Sequence, residues 1–254
     1  MMNENAGGIL AAQAAAYVSG RPDYPIAVEE WLRSDLGLGE GKVAIDLGSG
    51  TGKFLPRLLA IHTEVIAVEP SVVMRSHLEA LFPQLDAREG SAQALPLADS
   101  SVDAVICAQC FHWFANIQAL AEIRRVLKPG GALGLVWNIR DATVPWVASL
   151  IAIMAPYDSG TPDYESQEWR KLFPAEGFSE LREREYANPQ TGSPEKVIID
   201  RVLSVGSIAK LPPAERDRVL ARVREVIANA PELAGKPEIT FPNTTYAYSC
   251  RKIA

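Results

Sequence analysis

A doubly wound α/β sheet is the fold class this sequence predicts, and three observations point to it. Apolar segments recur near 43–47, 64–69, 86–88, 103–108 and 132–138. The stretches between them carry helical periodicity, and strand–helix alternation means a parallel sheet covered by helices on both faces. The first segment, Val43-Ala44-Ile45-Asp46-Leu47, runs directly into Gly48-Ser49-Gly50-Thr51-Gly52, bare backbone where a ligand can come close. Two later segments, 181–186 and 245–251, alternate as strands do and bring a Rossmann-like sheet to seven strands.

Taken in order, the elements have local reasons. After Tyr24-Pro25, residues Val28, Trp31, Leu32 and Leu36 share one helical face, and proline suits a first turn. A helix from near Gly52 turns Leu55, Leu58 and Leu59 inward. The next runs from Ser71 to Pro83, where proline stops it. Asn116 is a good N-cap for a helix burying Leu120, Ile123 and Leu127, and Lys128-Pro129-Gly130-Gly131 ends it. Residues 194–230 read as two helices, the second carrying Val219, Leu220, Val223 and Ile227 after Pro212-Pro213. The expected organisation is one domain over 1–254, with a core at 17–140 and cap segments at 141–176 and 190–240.

Composition narrows the class. The chain has 254 residues, 48% apolar, with a net charge of −6 and three cysteines. That length encloses a sizeable core. The acidic balance argues against a nucleic-acid partner, and no apolar run reaches the ~20 residues of a membrane span. Few cysteines suit a reducing compartment, so a cytoplasmic location is expected. Cys107 and Cys110 form a C-x-x-C, but only Cys250 remains as a third thiol, so no metal is expected.

The glycine register separates nucleotide-type ligands. A dinucleotide fingerprint, G-x-G-x-x-G, would need glycine at Lys53 or Leu55. A P-loop would need glycine at Leu47 and Ser or Thr at Phe54. What remains is D-x-G-x-G-x-G, which resembles the first motif of the class I S-adenosylmethionine-dependent methyltransferases. A strand–turn–helix corner using glycine for steric reasons is the plainer alternative. Glu69-Pro70-Ser71, 23 residues after Asp46, resembles that family's second motif. Glu89-Gly90-Ser91-Ala92 resembles its adenine loop, with Ser91 where many relatives carry Asp. Arg124 to Gly131 resembles a further fold motif, and Ala108-Gln109-Cys110-Phe111-His112-Trp113-Phe114 resembles a trans-aconitate methyltransferase-like subgroup.

The resemblance implies a seven-stranded sheet whose last strand is antiparallel, a helical cap, and S-adenosylmethionine as cofactor. Gly48 and Gly50, with Ser49 between them, would meet its methionine portion, Gly52 would let the helix pack tightly against the strand beside the cofactor, and Asp46 would face its positive charge. Glu69 would accept from the ribose hydroxyls, an arrangement common at a parallel sheet's carboxyl edge; Pro70 follows it. Ser91 and Ala92 would face adenine. Gln109 would bond the methionine portion, and Arg21 would pair with its carboxylate while Tyr17 and Tyr24 close over it. His112 is the provisional catalytic residue, an imidazole that serves as base or orients an acceptor, unless it simply plugs the core. Arg140 is a candidate for holding an anionic substrate. The expected reaction is methyl transfer by direct displacement to a small-molecule acceptor, a carboxylate or a hydroxyl. A methyltransferase acting on protein or RNA, and a silent S-adenosylmethionine-binding protein, are the alternatives.

Overall fold

The computed structural model describes residues 20–158, 160 and 162–253. Its strands are β1 (Val43–Leu47), β2 (Glu64–Val68), β3 (Asp86–Arg88), β4 (Val102–Ala108), β5 (Leu127–Arg140), β6 (Arg182–Ala187), β7 (Gln190–Gly192), β8 (Ile239–Phe241) and β9 (Asn243–Arg251). Seven form one sheet in the order β3-β2-β1-β4-β5-β9-β6. Strands β1 to β5 pair in parallel, with Asp46 beside Ala67 on β2 and beside Ile106 on β4. The chain order reverses between β1 and β4, and the crevice at the carboxyl ends of such a pair is where open α/β sheets bind ligands.

The last strand does run antiparallel, inserted between β5 and β6. Just past its end, the Lys252 N–H donates to the Gly131 carbonyl near the start of β5 (2.8 Å). Near its beginning, Thr245 donates to the Asn138 side chain near the end of β5 (2.5 Å). Opposite ends meet, as antiparallel pairing requires.

The helices are α1 (Val28–Ser34), α2 (Leu55–Leu59), α3 (Val72–Leu81), α4 (Ile117–Val126), α5 (Pro145–Met154), α6 (Asp200–Leu203), α7 (Gly206–Ala209) and α8 (Pro213–Asn229). Two N-caps are local and legible: Asn116 accepts from the Ala119 N–H (2.8 Å), and Ser71 accepts from the Met74 N–H (3.4 Å). Such caps satisfy an otherwise orphaned N–H at about 1 kcal/mol each.

Three expectations need correction. The helix expected from Gly52 starts only at Leu55, after three glycines with positive φ, and Leu59 is exposed instead of inward. With five residues the helix has room for one buried stripe, which Leu55 and Leu58 fill. Leu127 begins β5 instead of ending α4, so the Pro-Gly-Gly turn belongs to the strand. The first helix expected in 194–230 is broken into a π-turn at Glu195–Ile199 followed by α6 and α7, with Gly206 opening the last of these.

The contacts divide the described residues into two compact units. The sheet unit comprises 23–138, 162–186 and 245–253; the cap unit comprises 20–22, 139–158, 160 and 187–244. Residues 162–176, expected in the cap, pack with the sheet unit. Its core joins Trp31, Leu32, Phe54, Leu55 and Leu58 to the inner positions of the strands. The cap unit has its own core, in which Trp146 meets Phe241 edge-on with ring centres 5.0 Å apart and α5 packs against α8. The strand pair β7–β8 belongs to it. Truncating a buried Leu in either core costs about 2–5 kcal/mol. Among the described residues no helix is long and apolar enough to cross a membrane.

Candidate active site

The site grows from the end of β1. Strand burial carries Asp46 inside, only 1% exposed, and both of its carboxylate oxygens lack a hydrogen-bond partner. Burial, and then the charge of Glu69, push its pKa up to about 7. A buried carboxylate without donors is costly, and proteins keep one when something else supplies the compensating charge. The turn that follows is held tightly. The Gly48 N–H donates to the Val68 carbonyl (2.8 Å), the Ser49 hydroxyl to the Asp46 carbonyl (2.5 Å), and the Gly52 N–H to the Ser49 carbonyl (2.8 Å).

The three glycines have separate reasons. All sit at positive φ, where side chains are strained. A Cβ on Gly52 would strike Leu55 and Phe82 at 2.9 Å, so that glycine serves helix packing. A Cβ on Gly50 would meet nothing within 4 Å, which leaves an open face on backbone that a sterically driven corner has no need to expose. A Cβ on Gly48 would meet the Cys110 Sγ at 3.0 Å.

Glu69, just beyond β2, is buried and fixed through both oxygens. One accepts from the Gly50 N–H (2.9 Å) and the other from the Ser71 N–H (2.8 Å). It therefore bridges the glycine turn to the start of α3, with exposed Pro70 between. Each oxygen keeps a further lone pair for a ligand. Arg75 anchors the same corner through the Glu69 carbonyl (2.7 Å) and Glu89 (2.9 Å). The adenine-loop candidates form a small turn in which Ser91 and Ala94 exchange backbone bonds and Ala92 is buried. Gly90 ties this turn to β2, since a Cβ there would lie 2.8 Å from Val68.

At the end of β4 two expectations change character. The Gln109 amide is spent on backbone: its Oε1 accepts from the Asn138 N–H (2.8 Å) and its Nε2 donates to the Asn138 carbonyl (3.3 Å). It clamps β4 to β5, with its own backbone at φ 61°. His112 is oriented by Trp137, whose indole N–H donates to Nδ1 (3.0 Å). An indole nitrogen only donates, so the neutral ring carries its proton on Nε2. That geometry suits holding an oxygen better than removing a proton.

Cys110 is the residue whose position sequence reasoning missed. Its thiol donates to the Leu47 carbonyl (3.0 Å), and burial, Cys107, Asp46 and Glu69 together hold it protonated well above the usual thiol range. The fold uses Cys110 to fill the space against Gly48. Around Trp137 gather Trp169 (4.6 Å), Tyr164 (5.2 Å) and Tyr248 (5.9 Å), an aromatic wall drawn from three segments. Tyr24 is buried edge-on against Phe54 at 4.8 Å, and neighbouring Asp23 pairs with Lys53 (2.7 Å).

The sheet unit thus brings together Asp46, Gly48, Ser49, Gly50, Gly52 and Glu69, with Cys110 against them. Arg21 belongs to the cap unit, and Tyr17 lies outside the described residues. A surface groove of about 650 Å³ between α5 and α8 includes none of the expected site residues in its lining.

Comparison with known proteins adds the following. Residues 45–135 match the family described as a methyltransferase domain. An uncharacterized methyltransferase-like protein of Schizosaccharomyces pombe is 42% identical over 239 residues, spanning 94% of this chain and 93% of its own length. An uncharacterized methyltransferase of Mycobacterium tuberculosis is 36% identical over 230 residues, 91% of this chain and 90% of that one. Among solved structures, the YcgJ protein of Bacillus subtilis shares the fold with a TM-score of 0.59, at 17% identity, over 90% of this chain and 99% of that one.

Proposed function

The chain belongs to the S-adenosylmethionine-dependent methyltransferases, and from that premise we propose that it methylates a small-molecule acceptor by direct displacement at the carboxyl edge of β1 and β4. S-adenosylmethionine, when bound, supplies a methyl group already activated on a sulfonium, so the protein's work is alignment and charge. The observation that carries the reading is Asp46, a buried carboxylate with no donor, beside an open Gly50 and a fixed Glu69. These residues fit a ligand that is cationic at one end and presents hydroxyls at the other.

In this reading Asp46 faces positive charge and Gly48 to Gly52 offer backbone contact. Glu69 uses its spare lone pairs on two hydroxyls. Ser91 and Ala92 flank a base. His112 presents Nε2–H to the acceptor oxygen and fixes its approach, while the aromatic wall around Trp137 excludes water. Gln109 serves by holding Asn138, as a positioning residue. A carboxylate acceptor needs no base at all, which agrees with an imidazole held as a donor.

The test uses methyl-labelled S-adenosylmethionine with the protein in a cell extract, followed by separation of products by size. Label in the low-mass fraction, lost with Glu69→Ala, is the expected result. Label in protein or RNA would overturn the acceptor class. No label at full cofactor occupancy would favour a silent binding protein.

A further inference from the structure

His112 sits on a three-residue turn, Phe111–Trp113, too short to hold a side chain in one orientation by itself. The hold comes from β5, where the buried Trp137 donates its indole N–H to the imidazole Nδ1 (3.0 Å). Burial alone does not demand this bond. Trp31 and Trp169 are just as deeply buried, and among the described residues their indole N–H groups find no partner. A neutral imidazole has two tautomers, and a bond accepted at Nδ1 selects the one protonated on Nε2.

Trp137 is fixed in turn by segments far along the chain, all of them in the sheet unit. Trp169 and Tyr164 lie along its ring, and Tyr248 on β9 meets it steeply, with 72° between the planes. Behind these rings runs a line of polar contacts. The Tyr248 hydroxyl donates to Glu183 on β6 (2.9 Å), which commits its one proton. Tyr164 is therefore the donor across the 2.7 Å contact between the two hydroxyls. The other Glu183 oxygen accepts from Arg170 (2.9 Å), whose guanidinium also lies 5.3 Å over the Tyr248 ring. Burial, Tyr164 and Glu183 keep Tyr248 protonated well above the ordinary tyrosine range, so the donation to Glu183 persists. Apolar rings alone would fill this space. A hydroxyl bonded to a carboxylate adds direction, because such charge-assisted bonds are short and strong.

We infer that Trp137, Tyr248 and Glu183 are positioning residues for methyl transfer: Trp137 fixes the His112 imidazole as the Nε2–H tautomer, and Tyr248 and Glu183 fix Trp137. The pair on β6 and β9 thereby acts through Trp137 on the carboxyl end of β4. A misplacement of about 1 Å at a reacting centre costs about 100-fold in rate, so transfer is sensitive to the tilt of this wall. The step from tautomer to rate rests on the methyltransferase reading, whereas the tautomer lock does not.

The experiment is long-range proton–nitrogen NMR at pH 8 on protein labelled with nitrogen-15 histidine and saturated with S-adenosylhomocysteine. The chain has three histidines, and His112→Ala identifies the signal. The expected result is a single tautomer in the wild type, with Nδ1 bare and Nε2 protonated. It should give way to a mixture in Trp137→Phe and, to a smaller extent, in Tyr248→Phe and Glu183→Gln. A wild-type mixture or Nδ1–H form, or an unaltered tautomer in Trp137→Phe, would overturn the lock. Transfer of labelled methyl in the extract should fall about fivefold in Trp137→Phe, and no further when that change is added to His112→Ala. The affinity for S-adenosylhomocysteine should stay within about twofold of the wild type in each variant. Undiminished transfer alongside a mixed tautomer would overturn the positioning role. Should Trp137→Phe not fold, Tyr248→Phe decides, since it keeps every ring, and a wild-type signal there would overturn the proposal. Failure of the wild type to bind S-adenosylhomocysteine would sink the methyltransferase reading, and the spectra would still decide the lock.

Discussion

The sheet unit and the cap unit each bury charge that they do not neutralise, and the signs are opposite. At the end of β1 the uncompensated group is the Asp46 carboxylate, with Glu69 adding to it. In the cap unit it is the Arg201 guanidinium, whose Nε and Nη1 find no hydrogen-bond partner. Elsewhere the same chain pairs its charges closely, as Asp103 does with Lys42 and Lys128, or Arg125 with Glu122 and Asp99. Those pairs lie near solvent, where they are cheap to make and modest in worth. The difference is one of placement: among the described residues, Asp46 and Arg201 are buried charged groups with side-chain atoms that find no hydrogen-bond partner, one a carboxylate and one a guanidinium, whereas the paired charges lie near solvent.

The largest way to sharpen the contrast is Asp46→Asn. The folded protein holds this proton up to about pH 7, whereas an ordinary Asp carboxyl releases it near 3.8. As pH rises through that window the fold loses stability, because the unfolded state releases the proton first. The difference amounts to about 4 kcal/mol by pH 8. Denaturant titration at pH 8 should show the variant more stable than the wild type by a few kcal/mol, with the gap closing by pH 4. Equal stability at both would mean that Asp46 is not buried as an unpaired carboxylate.

Next in size is Glu69→Ala. Losing two charge-assisted contacts to the ligand, and the bridge from Gly50 to Ser71, should weaken S-adenosylhomocysteine about 100-fold by calorimetry. Gln109→Leu breaks the comparison differently, because its amide is engaged with the Asn138 backbone. It should cost about 2 kcal/mol in denaturant unfolding while leaving cofactor affinity within about twofold. A large affinity loss with little instability would restore Gln109 as a direct contact. The smallest effect belongs to His112→Ala, with an expected fall in kcat of about tenfold. A loss of 10³ or more would make His112 a base after all.

The asymmetry between the units also explains what the sequence disclosed. The carboxylate end is encoded locally: Asp46 to Gly52 is one continuous stretch, and the glycine register alone separates it from phosphate-binding loops. Strand alternation and caps such as Asn116 are likewise short-range, so the seven strands of the main sheet were legible. Arg201 was not, whereas Arg21 and Arg140 stood out in the sequence as candidates for holding an anion. Arg201 sits in a segment where helical periodicity suggested one helix but a π-turn and Gly206 divide it. Cys110 is a similar case: its nearest cysteine in sequence, Cys107, says nothing of its place, while its physical neighbours are Gly48, the Leu47 carbonyl and two carboxylates. The tie from Gln109 to Asn138, 29 residues apart, also becomes visible only once β4 and β5 are paired.

The central claim is that a buried carboxylate at the end of β1 receives the cofactor's positive charge. The most direct measurement is the affinity of S-adenosylmethionine from pH 6 to pH 8 in the wild type and in Asp46→Asn. Ionising Asp46 near pH 7 should tighten wild-type binding by about tenfold more than the variant's across that range. Parallel pH dependence in the two proteins would contradict the account.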